Sequence, residues 1–180
     1  MKKNILFVAV LAIVFMFTNE MSAQEFAKLD KSPMDAAAYP SSYKVSDKMV
    51  KVIYSRPQLK GRTVEELAPN GKVWRTGANE AVEITFFKDV TFGDKAVKAG
   101  TYSLFTIPGE KEWTVILNSA QNVWGAYTYN EADDAVRVMA PVSKSEETIE
   151  AFSITFDGTD NNANMYFGFG NVIVTLLVKG

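Results

Sequence analysis

Largely apolar residues recur at every second position in six separate stretches of the chain, a period typical of β-strands with one buried face. In the first stretch Val50, Val52 and Tyr54 share one face, and Pro57 ends the strand because proline cannot donate to a ladder. The other stretches place inward-facing residues at positions 82–86, 102–106, 113–117, 152–156 and 172–178. The pattern therefore predicts a mainly β protein.

Residue pairs that tolerate the backbone angles of tight turns punctuate these stretches. They are Gly93-Asp94, Ala99-Gly100, Pro108-Gly109, Asp157-Gly158 and Gly170-Asn171. Helical periods are confined to single turns, expected at residues 34–38 and at Val64–Leu67. Short strands joined by such turns predict an all-β fold, either an antiparallel β-sandwich or a jelly-roll-like barrel.

The chain divides into three segments by composition. Lys2 and Lys3 precede an apolar stretch from residue 5 to residue 17 and small residues at 22 and 23, which predicts a signal peptide over residues 1–23. Residues 24–46 lack a sustained period and are interpreted as an irregular N-terminal arm, and residues 47–180 as one β domain. We therefore expect export to the periplasm or the cell surface, with no transmembrane segment after signal removal.

Composition excludes several classes of function. The sequence contains neither Cys nor His, so Ser-His-Asp and Cys-His catalysis and the usual zinc sites are impossible. Removing the leader takes the basic residues from 19 to 17 and the acidic residues from 21 to 20, leaving a formal charge of −3. Such a surface does not attract nucleic acid, and no nucleic-acid partner is expected.

Four stretches carry a family resemblance: YSRP at 54–57, VWRTGANE at 73–80, AGTYSLFTIPG at 99–109 and WTVILN at 113–118. Together they resemble a secreted bacterial family known only as domain of unknown function 2911. The resemblance extends from about Ser32 through Trp124–Tyr127 to the C-terminus. It implies export and an all-β fold, and it brings no catalytic residues with it.

A polar cluster interrupts the alternating pattern between Trp74 and Ala81. Arg75, Asn79 and Glu80 lie on this loop, where Arg can hold a carboxylate or phosphate and Asn can both donate and accept. Arg56, at the end of the preceding strand, is a candidate to join them. The alternative is structural, with Arg75 paired to Glu80 and Asn79 capping the turn.

A second cluster is aromatic and contains Trp124, Tyr127 and Tyr129. Exposed rings beside polar groups can stack on the faces of sugars, so Trp124 and Tyr127 are candidate saccharide contacts. The alternative is that these rings pack into the core, as most Trp and Tyr residues do.

Other chemistry finds less support in the sequence. Glu80 and Glu83 could serve a hydrolase that lacks His, but Glu83 should lie on the face opposite Val82 and Ile84, and nothing in the sequence sets its separation from Glu80. The oxygen-rich loop at 157–162 does not fit the spacing of a calcium loop. No metal site and no cofactor is therefore predicted.

These observations favour a non-catalytic exported binding domain for a small polar ligand or a saccharide. A carboxylate-based hydrolase without His is the first alternative. A structural or assembly component of the cell envelope is the second, and it should expose a large apolar patch or an open strand edge.

Overall fold

The computed structural model describes residues 24–180, and the predicted signal peptide at residues 1–23 lies outside them. The described residues form nine strands, one short helix and one 3₁₀ turn at Glu131–Asp133. The strands are β1 Met34–Tyr39, β2 Val50–Ser55, β3 Val82–Phe86, β4 Val90–Phe92, β5 Lys95–Val97, β6 Gly100–Ile107, β7 Glu112–Asn118, β8 Asp134–Thr159 and β9 Asn162–Lys179. The predicted all-β fold is confirmed.

The nine described strands form one open sheet in which every neighbouring pair is antiparallel. Their order is β1-β2-β3-β6-β7-β8-β9-β4-β5, so that β1 and β5 form the two edges. The more specific prediction of a sandwich or a closed barrel is therefore not confirmed.

Strand β8 joins the two halves of the sheet. Its residues up to Pro141 pair with β7, whereas those from Val142 onward pair with β9. The register shifts between Lys144 and Ile149 and again between Ile149 and Ser153. Such irregularities bend a strand, and they allow one half of the sheet to pack against the other.

An aromatic core fills the space between these halves. Trp74 contacts Phe152 edge-on at a centroid distance of 5.2 Å and stacks with Phe169 at 6.1 Å. Strand β3 meets β4 through Phe86 and Phe92, whose ring centroids lie 5.7 Å apart. Most of the inward positions predicted from the alternation, including Val52 and Ile84, are buried in this core, whereas Tyr102 and Val172 are partly buried and pack against it.

Two local predictions have different outcomes. The helical turn expected at residues 34–38 is wrong, because this segment forms strand β1 and pairs with β2. Pairing overrides the helical preference of its alanines. The turn at Val64–Leu67 is confirmed as helix α1, and it begins with a capping box in which Thr63 and Glu66 bond each other's backbone N–H groups.

The helical segments of residues 24–180 are short. None of the helices there is long and apolar enough to cross a bilayer.

Candidate functional site

The outward face of the sheet carries a row of residues that cross-strand pairing fixes. Ile53 on β2 lies opposite Glu83 on β3, and Glu83 lies opposite Ser103 on β6. Their neighbours Val52 and Ile84 point into the core, so the predicted outward direction of Glu83 is confirmed. The candidate site lies on this row of residues.

A long connection covers part of this outward face. Residues 119–133, here called the covering loop, connect β7 to β8. Their Val123, Ala126 and Tyr129 pack against a small cluster of Ala81, Phe105 and Ile116. These apolar contacts therefore hold the covering loop against the sheet.

Backbone hydrogen bonds bring the covering loop beside the polar cluster predicted from the sequence. Ala81 N donates to Val123 O at 2.8 Å, and Gly125 N donates to Asn79 O at 2.9 Å. Between these bonds Glu80 and Trp124 form a β-bridge. Two candidate residues that are distant in sequence therefore lie side by side.

A cleft of about 490 Å³ opens between the covering loop and strands β1 to β3. Its lining residues are Met34, Ile53, Tyr54, Ser55, Glu80, Ala81, Glu83, Asn122, Val123 and Trp124. Trp124 is 60% exposed and Met34 59%, whereas Ala81 and Ser55 are buried. The cleft thus combines a partly apolar wall, one accessible indole and two carboxylates, in a volume suited to a small molecule.

Basic side chains of residues 24–180 do not match the two carboxylates of the cleft. No described residue forms an ion pair with Glu80 or Glu83, and no described Lys or Arg lines the cleft. Glu83 Oε1 accepts one hydrogen bond, from Asn122 N at 3.3 Å. Beside it in the sheet row, the buried Ser103 Oγ has no hydrogen-bond partner among the described residues.

The segment that presents Glu80 is held in a strained backbone conformation. Thr76 has a φ of 59° and Asn79 a φ of 60°, values that residues with a Cβ rarely adopt. The buried Thr76 hydroxyl bonds Thr106 Oγ1 at 3.1 Å, and Asn79 Nδ2 bonds Asp30 Oδ1 at 3.1 Å. The bond from Ser32 N to Asp30, together with the bond from Asn79, holds the pKa of Asp30 below its usual range. Strain of this kind persists only where surrounding contacts enforce it.

The far end of the covering loop is anchored by a charged network. The Asp134 carboxylate accepts bonds from Tyr129 Oη at 2.7 Å, Arg137 Nε at 2.6 Å and Asn118 Nδ2 at 2.8 Å. Burial raises the pKa of Tyr129 to about 12, and its bond to Asp134 acts in the same direction. The bond from Arg137 to the same carboxylate raises the pKa of Arg137 as well. Both ends of the covering loop are therefore fixed, and Trp124 lies between them.

The aromatic cluster divides between the two alternatives that the sequence left open. Tyr129 packs edge-on against Phe105 at 5.1 Å, as a core residue does. Trp124 and Tyr127 are 60% and 82% exposed and are not core residues. Of these two, Trp124 lines the cleft, whereas Tyr127 does not line it and folds beside Gly125.

The arginines of the candidate site lie outside the cleft. Arg56 braces β2 against β8, bonding Phe152 O at 3.0 Å and Ser153 Oγ at 2.7 Å and pairing with Asp35 at 3.0 Å. Arg75 is half-buried, and within residues 24–180 its Nε has no hydrogen-bond partner and its side chain no ion pair. The structural alternative in which Arg75 pairs with Glu80 is therefore absent from the described part of the chain.

Sequence reasoning considered Glu80, Glu83 and Trp124 among the ten residues that line the cleft. Met34, Asn122 and Val123 carry no local signal that sets them apart, whereas Ile53 is an apolar residue on the polar face of its strand and could have been noticed. The sequence does not set the separation of Glu83 from Glu80, and the structure places both glutamates in the lining of one cleft.

A metal site within residues 24–180 would need several ligating side chains close together. No three Asp, Glu, Cys or His side chains of this part come together in a way that could hold an ion.

The comparisons with known proteins support the family resemblance. The family model that matches residues 32–178 is described as a protein of unknown function (DUF2911). Neither a curated protein nor a solved structure matches the chain. The match spans the whole sheet except for the last residue of β9, and it includes every residue that lines the cleft.

Proposed function

Since the chain belongs to the DUF2911 family, whose description names no activity, we propose a function from the geometry of its cleft. The protein is a non-catalytic, exported binding domain that holds a small polar ligand or a saccharide between Trp124 and the strands β2 and β3. Export rests on the predicted signal peptide, and binding rests on the cleft.

The exposed indole of Trp124 carries the proposal. Tyr129 of the same loop packs partly buried against the small cluster beneath the covering loop. By contrast, the backbone of Trp124 is held by the bridge to Glu80 while its ring stays 60% exposed at the edge of the cleft. A fixed, accessible aromatic face beside carboxylate acceptors is the usual arrangement for stacking on a sugar ring and bonding its hydroxyls.

The rigidity of the cleft supports binding over a purely structural role. The positive φ angle of Thr76, a β-branched residue, costs on the order of 1 to 3 kcal/mol, which the contacts around the loop must offset, whereas Asn79 adopts its positive φ at lower cost. Such strain is concentrated at functional sites. A preformed cleft binds more tightly because less ordering is needed on association.

The test uses the fluorescence of tryptophan, because the three indoles of the sequence differ in exposure. Trp74 and Trp113 are 6% and 3% exposed, so quenching by iodide reports on Trp124. A panel of neutral, cationic and anionic sugars and small polar molecules is titrated while quenching is recorded. A bound ligand should protect Trp124 from iodide and raise the melting temperature by mass action.

Matched variants decide whether such a signal comes from the cleft. Trp124→Ala should abolish the ligand-induced rise in melting temperature. Phe87→Ala removes another exposed ring, which lies outside the cleft, and should leave the rise unchanged. The proposal fails if no compound of the panel gives a saturable response, or if the response survives in Trp124→Ala.

The carboxylate hydrolase remains the second candidate because Glu80 and Glu83 line one cleft. Glycoside hydrolysis uses two such groups, one of them kept protonated by its surroundings. Glu80 is solvent-exposed, which is why binding is proposed first. Release of reducing ends from an oligosaccharide that binds, abolished in both Glu80→Gln and Glu83→Gln, would make the protein an enzyme.

A further inference from the structure

The cleft's polar groups differ in one respect from those of a general sugar site, since both charged groups are acidic. Glu80 and Glu83 flank an apolar wall that includes Ile53, and no described Lys or Arg lines the cleft. A neutral ligand would leave both charges without a counter-ion, whereas an anionic ligand would be repelled.

The exposed indole reinforces this preference for positive charge. The face of Trp124 is available to a ligand, and Trp is the side chain that attracts cations most strongly through its ring. The indole approaches this volume from the covering loop, Glu83 from β3 and Glu80 from the loop that precedes β3. Three groups from three segments therefore favour one kind of ligand.

We infer that the ligand of the cleft carries a protonated amine on a ring of sugar size, that is, an amino sugar. The ring stacks on Trp124, and the ammonium group lies between Glu80 and Glu83. The volume of about 490 Å³ accommodates one or two sugar rings. This inference rests on the proposed binding function and narrows it to one chemical class.

The experiment compares four sugars that differ in charge. Glucosamine is the cationic probe, glucose and N-acetylglucosamine are neutral, and glucuronate is anionic. All are titrated by calorimetry near pH 6, where a primary amine is protonated and a Glu carboxylate is ionised. Glucosamine should bind about tenfold more tightly than the neutral sugars, a ratio expected from two nearby carboxylates and one cation–π contact. Added salt should reduce that ratio.

Variants locate the preference. Glu80→Gln and Glu83→Gln should each weaken glucosamine binding about threefold to fivefold and leave the neutral sugars nearly unaffected. Glu146→Gln removes the same charge from an exposed position on β8 outside the cleft and should change neither. Melting temperatures measured in parallel show whether each variant is folded.

The possible results separate this inference from the function on which it rests. Equal binding of charged and neutral sugars, or a preference for glucuronate, overturns the amino-sugar inference and leaves the binding function standing. Binding of none of the four to the folded protein overturns the inference, and the wider panel described above then decides the function. A glucosamine preference that persists in both glutamine variants shows that the amine binds elsewhere, and it also overturns the inference.

Discussion

Replacing Arg137 by Met should destabilise the protein because it removes one of three donors from a carboxylate that has little access to water. The Asp134 side chain is 7% exposed and accepts bonds from Tyr129, Arg137 and Asn118. Breaking a buried ion pair costs about 3 to 5 kcal/mol. Arg137 is 33% exposed, and Asp134 keeps two of its donors, so we expect a smaller loss of about 2 kcal/mol.

Urea denaturation of Arg137→Met, Asp134→Asn and the double variant measures this loss and the coupling between the two residues. The double variant should lose about 1 kcal/mol less than the sum of the single losses, because each single change leaves its partner uncompensated. Lys98→Met is the matched control, since Lys98 and Asp89 pair at 2.6 Å with side chains 85% and 59% exposed. That variant should leave the free energy of unfolding nearly unchanged. A loss below about 0.5 kcal/mol for Arg137→Met, with additive single losses, would refute the reasoning.

Two further predictions concern the strained loop at residues 75–80. Arg75→Met should be neutral or slightly stabilising, because the buried Nε of Arg75 has no partner among residues 24–180. In urea denaturation its effect on the free energy of unfolding should add to that of Glu80→Ala within about 0.5 kcal/mol. A larger coupling would show that Arg75 and Glu80 interact. Gly77→Ala should cost about 1 to 3 kcal/mol in the same assay, because its Cβ would lie 2.9 Å from Ser55 O, and a loss below about 0.5 kcal/mol would contradict the packing argument.

The strands with one buried face were predictable because their side-chain period reports burial directly. Residues such as Val82, Ile84 and Phe86 alternate with polar neighbours, and pairing places them in the core as expected. The hairpin of β4 and β5 was not predicted beyond its Gly93-Asp94 turn, since strands of three residues are too short to show a period. The local sequence pattern is therefore sufficient to predict a strand only where the strand is long and has one buried face.

The course of β8 and β9 shows a second limit. Gly170-Asn171 was expected to end a strand, but it lies within β9, where Gly170 has a φ of 58° opposite the irregular segment near Ile149. A glycine at a positive φ serves a turn and a bulge equally well. Whether a turn or a bulge forms at such a glycine depends on a partner strand that is distant in sequence.

The candidate site was half predictable for the same reason. Glu80 and Trp124 were each singled out by residue type, but their contact depends on the bridge between two loops, and no local pattern encodes it. Arg56 was included because it carries a charge near the polar cluster. In the structure Arg56 connects β2 to β8, because a half-buried guanidinium donates hydrogen bonds to the acceptors that lie around it.

The extent of the covering loop finally explains why a cleft exists at this place. The 15 residues between Asn118 and Asp134 make an unusually long connection, and connections of that length are commonly functional. The loop shields Phe105 and Ile116 completely, yet it stops short of β1 and β2 and leaves Met34 and Ile53 exposed by 59% and 37%. Single exposed apolar side chains are common on protein surfaces, so neither of these two requires an explanation by itself. What sets this place apart is that both line one cleft with two carboxylates that form no ion pair within residues 24–180. The proposed binding function depends on that combination, because a ligand in the cleft would cover both apolar side chains and contact both carboxylates.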